Sequence, residues 1–336
     1  WFSIPLIRYK DNINQKGDKK IMNTHPILLD LSKTFISNSD RYEVHDNIKP
    51  ILQNLCLDRD FLHEALTGYL SDPKSLKNAK NNTIPLLSSG DIFFGINLFC
   101  PIRDGGLNIT SDNIHHHGWR LLSTGVISGE GYETINFVKN SHLNREGGYV
   151  NLEIDEIFRH TKGDIRFIDS NTAHVVFHNT STSATLAIWS ADHMITTQSI
   201  KRRLEASPLL RKSITKTIHT LGLNELLGLN ALKGLYYHPE GGKIVETKNY
   251  NKPYDGNLQE ILHCWFKFFQ QIEFNNPEFW LQRKKYAPIE AMELIEKLIN
   301  NEPIKDIGIW GNLRRRFSKT QILQAIDNSV SGDNSY

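Results

Sequence analysis

The chain has 336 residues, 39% of them hydrophobic, enough for one large domain or two ordinary ones around a substantial core. Lys and Arg (39) nearly balance Asp and Glu (37), so the net charge of +2 gives no electrostatic ground for a nucleic-acid or membrane-surface partner. Cys56, Cys100 and Cys264 are odd in number and far apart, which suits a reducing compartment, and no run reaches the roughly 18 apolar residues of a membrane span, so a cytoplasmic location is expected.

Residues 1–23 are polar and Lys-rich and are expected to form a disordered extension, with Met22 an alternative start. Residues 24–83 read as a helical segment. Phe61, Leu62, Ala65, Leu66, Tyr69 and Leu70 recur at helical spacing, and Asp58 or Asp60 is placed to cap that helix. Over 84–198 the pattern changes to short apolar runs broken by Gly, Asn, Asp and Ser, at 91–99, 121–127, 132–138, 149–154, 164–168, 174–178 and 184–189. Short strands at even spacing predict a sandwich or barrel.

Helical periodicity returns over 199–336. Leu258, Ile261, Leu262, Trp265, Phe268, Phe269 and Ile272 share one face, a second helix starts at Pro288, and a third follows Ser318, whose spacing to Gln321 fits a capping box. The Pro-Glu-Gly-Gly stretch at 239–242 reads as a loop. The fold class is therefore α+β, a central antiparallel β-barrel flanked by an N-terminal and a larger C-terminal helical segment.

The chemistry concentrates in Ile114-His115-His116-His117-Gly118. Strand side chains alternate, so His115 and His117 point to one side and His116 to the other. Continued alternation makes Trp119 and Leu121 the next inward positions, an apolar wall that would strengthen metal binding. The segment from Asp169 through Asn171 to His174 and His178 offers a third ligand, His174.

These residues resemble the two motifs of the cupin superfamily, a His-x-His pair followed by a carboxylate and a glycine, and a Gly, Pro-x-Gly, His, Asn series. His115-x-His117 with Gly129 matches the first, and Gly163, Asp169, Asn171, His174 and His178 hold the register of the second. Asn171 replaces a turn glycine and is the side chain that best tolerates positive φ. The carboxylate position is Leu121 or Leu122, neither a ligand.

The resemblance, over residues 106–190, implies a double-stranded β-helix with a three-histidine site like that of the cysteine-dioxygenase-like branch. It implies Fe(II), with Zn, Mn or Ni as alternatives, and O2 as co-substrate of a small amino-acid- or thiol-like metabolite. A metal-dependent isomerase or hydrolase and a non-catalytic ligand-binding protein stay open as other uses of the fold.

Further candidates surround this set. His178 could orient a ligand, touch substrate or be a fourth ligand, in that order of preference. Tyr132 and Glu133 follow Gly129, and one of them should face inward as an acid–base group. Arg103 and Arg166 are candidate grips for a substrate carboxylate, whereas Arg120 has the parity of His116 and should face out. The basic clusters at 201–203 and 314–316 read as solvated helix faces, and no nucleic-acid or membrane partner is expected; a homodimer is compatible with these features.

Overall fold

The computed structural model describes residues 24–89, 91–101, 109–110, 113–192, 235–247, 257–308 and 316–330. The extension 1–23, Arg103 and the basic cluster 201–203 lie outside the described residues. Four helices come first: α1 (Pro26–Ser37), α2 (Arg41–Asn47), α3 (Lys49–Leu57) and α4 (Arg59–Leu70). Asp40 and Asp58 cap α2 and α4, each carboxylate accepting a backbone N–H of the first turn from Glu43 and Phe61.

The strands are β1 (Thr83–Ser89), β2 (Ile92–Phe99), β3 (Ile114–His115), β4 (Arg120–Ser128), β5 (Tyr132–Phe137), β6 (Arg145–Glu146), β7 (Tyr149–Val150), β8 (Ile154–His160), β9 (Ile165–Ile168), β10 (His174–Val176) and β11 (Ser183–Ala191). A hairpin of β12 (Tyr236–Glu240) and β13 (Lys243–Thr247) follows, and then α5 (Leu258–Gln271), α6 (Pro277–Lys284), α7 (Ile289–Ile299) and α8 (Lys319–Val330). Ser318 and Gln321 exchange the two hydrogen bonds of a capping box at the start of α8.

Two antiparallel sheets face each other. One runs β1-β2-β11-β4-β9 and the other β13-β12-β3-β10-β5-β8, and among the described residues no strand pairing closes them into a barrel. The hairpin β12–β13 corrects the helical reading of this stretch: Gly241 and Gly242 both take positive φ in its turn, and Tyr236 and Tyr237 pair with β3.

Alternation assigns each face of the first sheet. Phe94, Ile96 and Leu98 of β2 and Ala184, Leu186 and Ile188 of β11 point outward into a single core shared with α1–α4, α5 and α7. The two helical segments, remote in sequence, thus cover the same sheet face. Because the other face of β11 lines an interior cavity, every residue of this strand is buried. The second sheet turns Ile114, Ile135, Phe137, Val175 and Tyr237 outward against Ile322, Ala325 and Ile326 of α8. Among the described residues no helix is long and apolar enough to cross a membrane.

Candidate metal centre

The inner face of the second sheet is organised in rows. Strand register places Tyr236, His115, His174, Asn136 and Glu156 opposite one another across β12, β3, β10, β5 and β8. His117 lies just beyond the end of β3. The ligand atoms of His115, His117 and His174 lie within 4.8 Å of one another, and the ring centroids are 5.0 Å apart for His115–His117 and 4.5 Å for each ring to His174.

The segments that hold these rings are fixed by their own backbone. Gly118 takes φ 62, letting the chain turn sharply after the histidine run. Asn171 takes φ 56 in the turn before β10, as its place in the resemblance implies, and its N–H bonds Gly118 O at 2.7 Å. The two ligand-bearing segments are therefore tied together. His115 Nδ1–H donates to Asn113 O at 2.8 Å, which fixes the tautomer and leaves the lone pair on Nε2.

Burial, the largest cause, lowers the proton affinity of all three rings. It holds His115 and His117 well below the usual imidazole range, with the neighbouring His174 adding to the effect, and brings His174 down to about 4. The rings are neutral at neutral pH, the form that binds a metal. His117 Nδ1 is buried with no hydrogen-bond partner among the described residues. Such an atom is costly, and a divalent cation held by the three imidazoles would explain the convergence of three desolvated rings.

The opposite wall is apolar. Trp189 packs edge-on to His117 at 4.4 Å, and Leu122 and Ile168 continue the row across β4 and β9. With Phe93 and Ala187 they form one buried apolar cluster. The cavity between the sheets encloses about 690 Å³ counted out to its open side. Its described lining holds no carboxylate, and its cation is Arg166.

The other expected residues fall on both sides of this boundary. Tyr132 lines the cavity, whereas Glu133, of opposite parity, turns outward and pairs with Lys319. His178 does not line it: β10 ends at Val176, and the His178 ring donates through Nδ1 to Cys100 O at 2.7 Å. Trp119 and Leu121 are also outside the lining, because the turn at Gly118 resets parity so that Leu122 faces inward instead.

Arg120 is outside the cavity lining, as expected; the charge of Asp91 favours its guanidinium, which in turn adds to the lowering of His117. Arg166 lines the cavity, lies over the Phe158 ring at 3.9 Å and meets Glu156 at 3.3 Å. Arg103 lies outside the described residues.

Sequence reasoning missed His160, Thr124, Thr185, Asn97 and Trp189, all of which line the cavity. His160 Nε2 donates to Asp164 O at 3.0 Å, so its Nδ1 accepts the Tyr132 hydroxyl at 3.0 Å. The signal available for it was parity with Phe158 in a strand ending before the Gly163 turn.

Buried neutral histidines also set the acid limit of the fold. Desolvation brings His45 and His178 to about 3 and His160 to about 4, against 6.5 for an exposed ring. Above pH 6.5 both folded and unfolded chains hold these rings neutral; below it the unfolded chain takes up protons that the folded one refuses. Stability should therefore fall as pH drops from about 6.5 towards 4, by up to about 1.4 kcal/mol per pH unit for each ring. Denaturant unfolding at pH 7 and pH 5 should differ by at least about 3 kcal/mol. A flat profile would contradict the burial.

No family model matches the chain, and no curated protein matches it. Similar solved structures include TT1209 from Thermus thermophilus, at 15% identity and TM-score 0.23, covering 34% of this chain and 86% of that one. An uncharacterized conserved protein with a double-stranded β-helix domain from Klebsiella pneumoniae subsp. pneumoniae follows at 14% and 0.23, covering 34% and 80%. The Cnp3 cupin domain of Schizosaccharomyces pombe matches at 10% and 0.23, covering 36% and 69%. At these TM-scores the likenesses carry no argument about function.

Proposed function

We propose that the protein is a mononuclear non-haem Fe(II)-dependent oxygenase of the cupin type, a dioxygenase in its simplest form, acting on a small metabolite of amino-acid or thiol character. One observation carries this reading: the described cavity lining holds no carboxylate, so the ligand set it offers is the three neutral imidazoles of His115, His117 and His174 alone. Iron held there would supply redox chemistry and open coordination positions.

The chain's own residues supply the rest. Asn113 O orients His115, and Leu122, Ile168 and Trp189 exclude water from the facing side. Three neutral imidazoles leave the +2 charge of the cation uncompensated, so a substrate with an anionic head, a carboxylate or thiolate, is favoured.

Hydrolysis or isomerisation would need an acid or base beside the reacting atoms. Tyr132 and His160 stand four residues along β5 from Asn136, the cross-strand neighbour of His174, a distance of about 13 Å at the usual strand rise. They meet the far end of a bound molecule, which places the non-redox reading second.

Anaerobic loading with Fe(II), followed by oxygen-uptake measurements against a panel of thiols and amino acids, tests the proposal. Oxygen consumption matched to substrate loss is the expected result. Turnover under nitrogen would instead establish the hydrolase or isomerase. No turnover under either gas, with ligand-dependent stabilisation retained, would make the protein a binding module.

A further inference from the structure

The cavity has a second pole, built from uncharged hydrogen-bonding groups. On β11, Thr185 lies four residues from Trp189, and on β5, Tyr132 lies four residues from Asn136, so both sheets place this pole about 13 Å from the histidine row. Thr185 and Asn97 are cross-strand partners, and both line the cavity.

The hydrogen-bond capacity there is only partly used. Thr185 Oγ1 belongs to a residue 1% exposed and has no hydrogen-bond partner among the described residues. Asn97 Oδ1 accepts from Thr83 Oγ1 at 2.9 Å, which commits the oxygen and leaves the amide NH2 as the donor side. Tyr132 is held by Phe99, whose ring is 4.3 Å away, and by its bond to His160. Between the poles the lining alternates apolar and polar groups, Val176 and Phe158 beside Thr134 and Thr124, and the charge of Arg166 is met by Glu156.

We infer that Asn97, Thr185 and Tyr132 form a distal recognition subsite for an uncharged hydroxyl or carbonyl group of an elongated substrate whose anionic head lies at the three histidines. The inference rests on the metal-centre reading for the head and on the second pole for the tail. A charged tail is disfavoured because the cation near Tyr132, Arg166, is already met by Glu156 and leaves no uncompensated charge to balance it. A hydrocarbon tail would leave Thr185 Oγ1 and the Asn97 amide unsatisfied, a penalty of the size that separates a substrate from its deoxy analogue.

Zn(II)-loaded protein, titrated calorimetrically with straight-chain ω-hydroxycarboxylates and the matching alkanoates of graded length, provides the test. The hydroxy acid that spans about 13 Å should bind about tenfold more tightly than its alkanoate, and shorter pairs should not differ. Thr185→Val, close to isosteric, should abolish the difference while leaving Zn(II) affinity and short-alkanoate binding unchanged.

Wild-type protein that binds Zn(II) and short carboxylates but shows no hydroxyl advantage at any length would overturn the subsite alone. Failure to bind Zn(II) would overturn the metal reading, and with it the inference. Should Thr185→Val not fold, the wild-type length series decides, with Tyr132→Phe as the second variant.

Discussion

His174→Ala should lower divalent-metal affinity by at least about 100-fold, measured by competition with a chromophoric chelator, while the fold survives. Removing a group that hydrogen-bonds a metal ligand already costs about 10- to 100-fold, and His174 is a candidate ligand itself. It is also the ring nearest both others, with centroids 4.5 Å from each. His116→Ala is the control. Its ring lies on the other side of the run, stacked on His142 at 4.3 Å, so metal affinity should change little. Equal losses in the two variants would mean that the run acts through local structure and not through ligation.

Leu122→Glu should make the metal-free protein markedly less stable and the metal-bound protein hold its ion more tightly. Leu122 is 6% exposed and lies in the apolar wall across from the histidines. A carboxylate placed there without a partner is a buried, uncompensated charge, worth about 3–5 kcal/mol of lost stability at neutral pH. A divalent cation would supply the missing partner. Thermal unfolding with and without Zn(II) should therefore show a larger metal-dependent rise in Tm for Leu122→Glu than for wild type. The same carboxylate would compete with an anionic substrate head, so alkanoate binding should weaken. An equal metal response in both proteins would show that Leu122 does not face the ion.

What could be read from the chain divides by how local the cause is. The pair His115 and His117 was legible because two residues in extended backbone return to the same face, and His174 because the turn before it needs a residue that accepts positive φ, which Asn171 does. Parity failed beyond Gly118: β3 ends at His115 and the turn exchanges the roles of Leu121 and Leu122, so Trp119 was misplaced.

His178 was misjudged for the same kind of reason, since alternation was carried past the end of β10. The strongly periodic helices α5, α7 and α8 were legible, and so was the Ser318–Gln321 cap. That α1–α4 and α5 meet over one sheet face was not, because long-range packing leaves no mark in local periodicity. The hairpin β12–β13 was hidden for a related reason: its pairing partner, β3, is more than a hundred residues away, and only its Gly-Gly turn was visible as a loop.

The second pole of the cavity was the least legible part. Asn97, Thr185 and His160 sit singly in separate strands and form a set only when β2, β11 and β8 are brought together. Polar residues at inward positions of otherwise apolar strands were the available sign.

The central claim is that His115, His117 and His174 hold one divalent metal ion. Anomalous diffraction from crystals grown with Fe(II) under nitrogen, or with Zn(II), tests it most directly. A single strong peak about 2.0–2.2 Å from one nitrogen of each of the three rings is the expected result. Density without a peak at the cluster in fully metal-exposed crystals, or a peak on other residues, would contradict it.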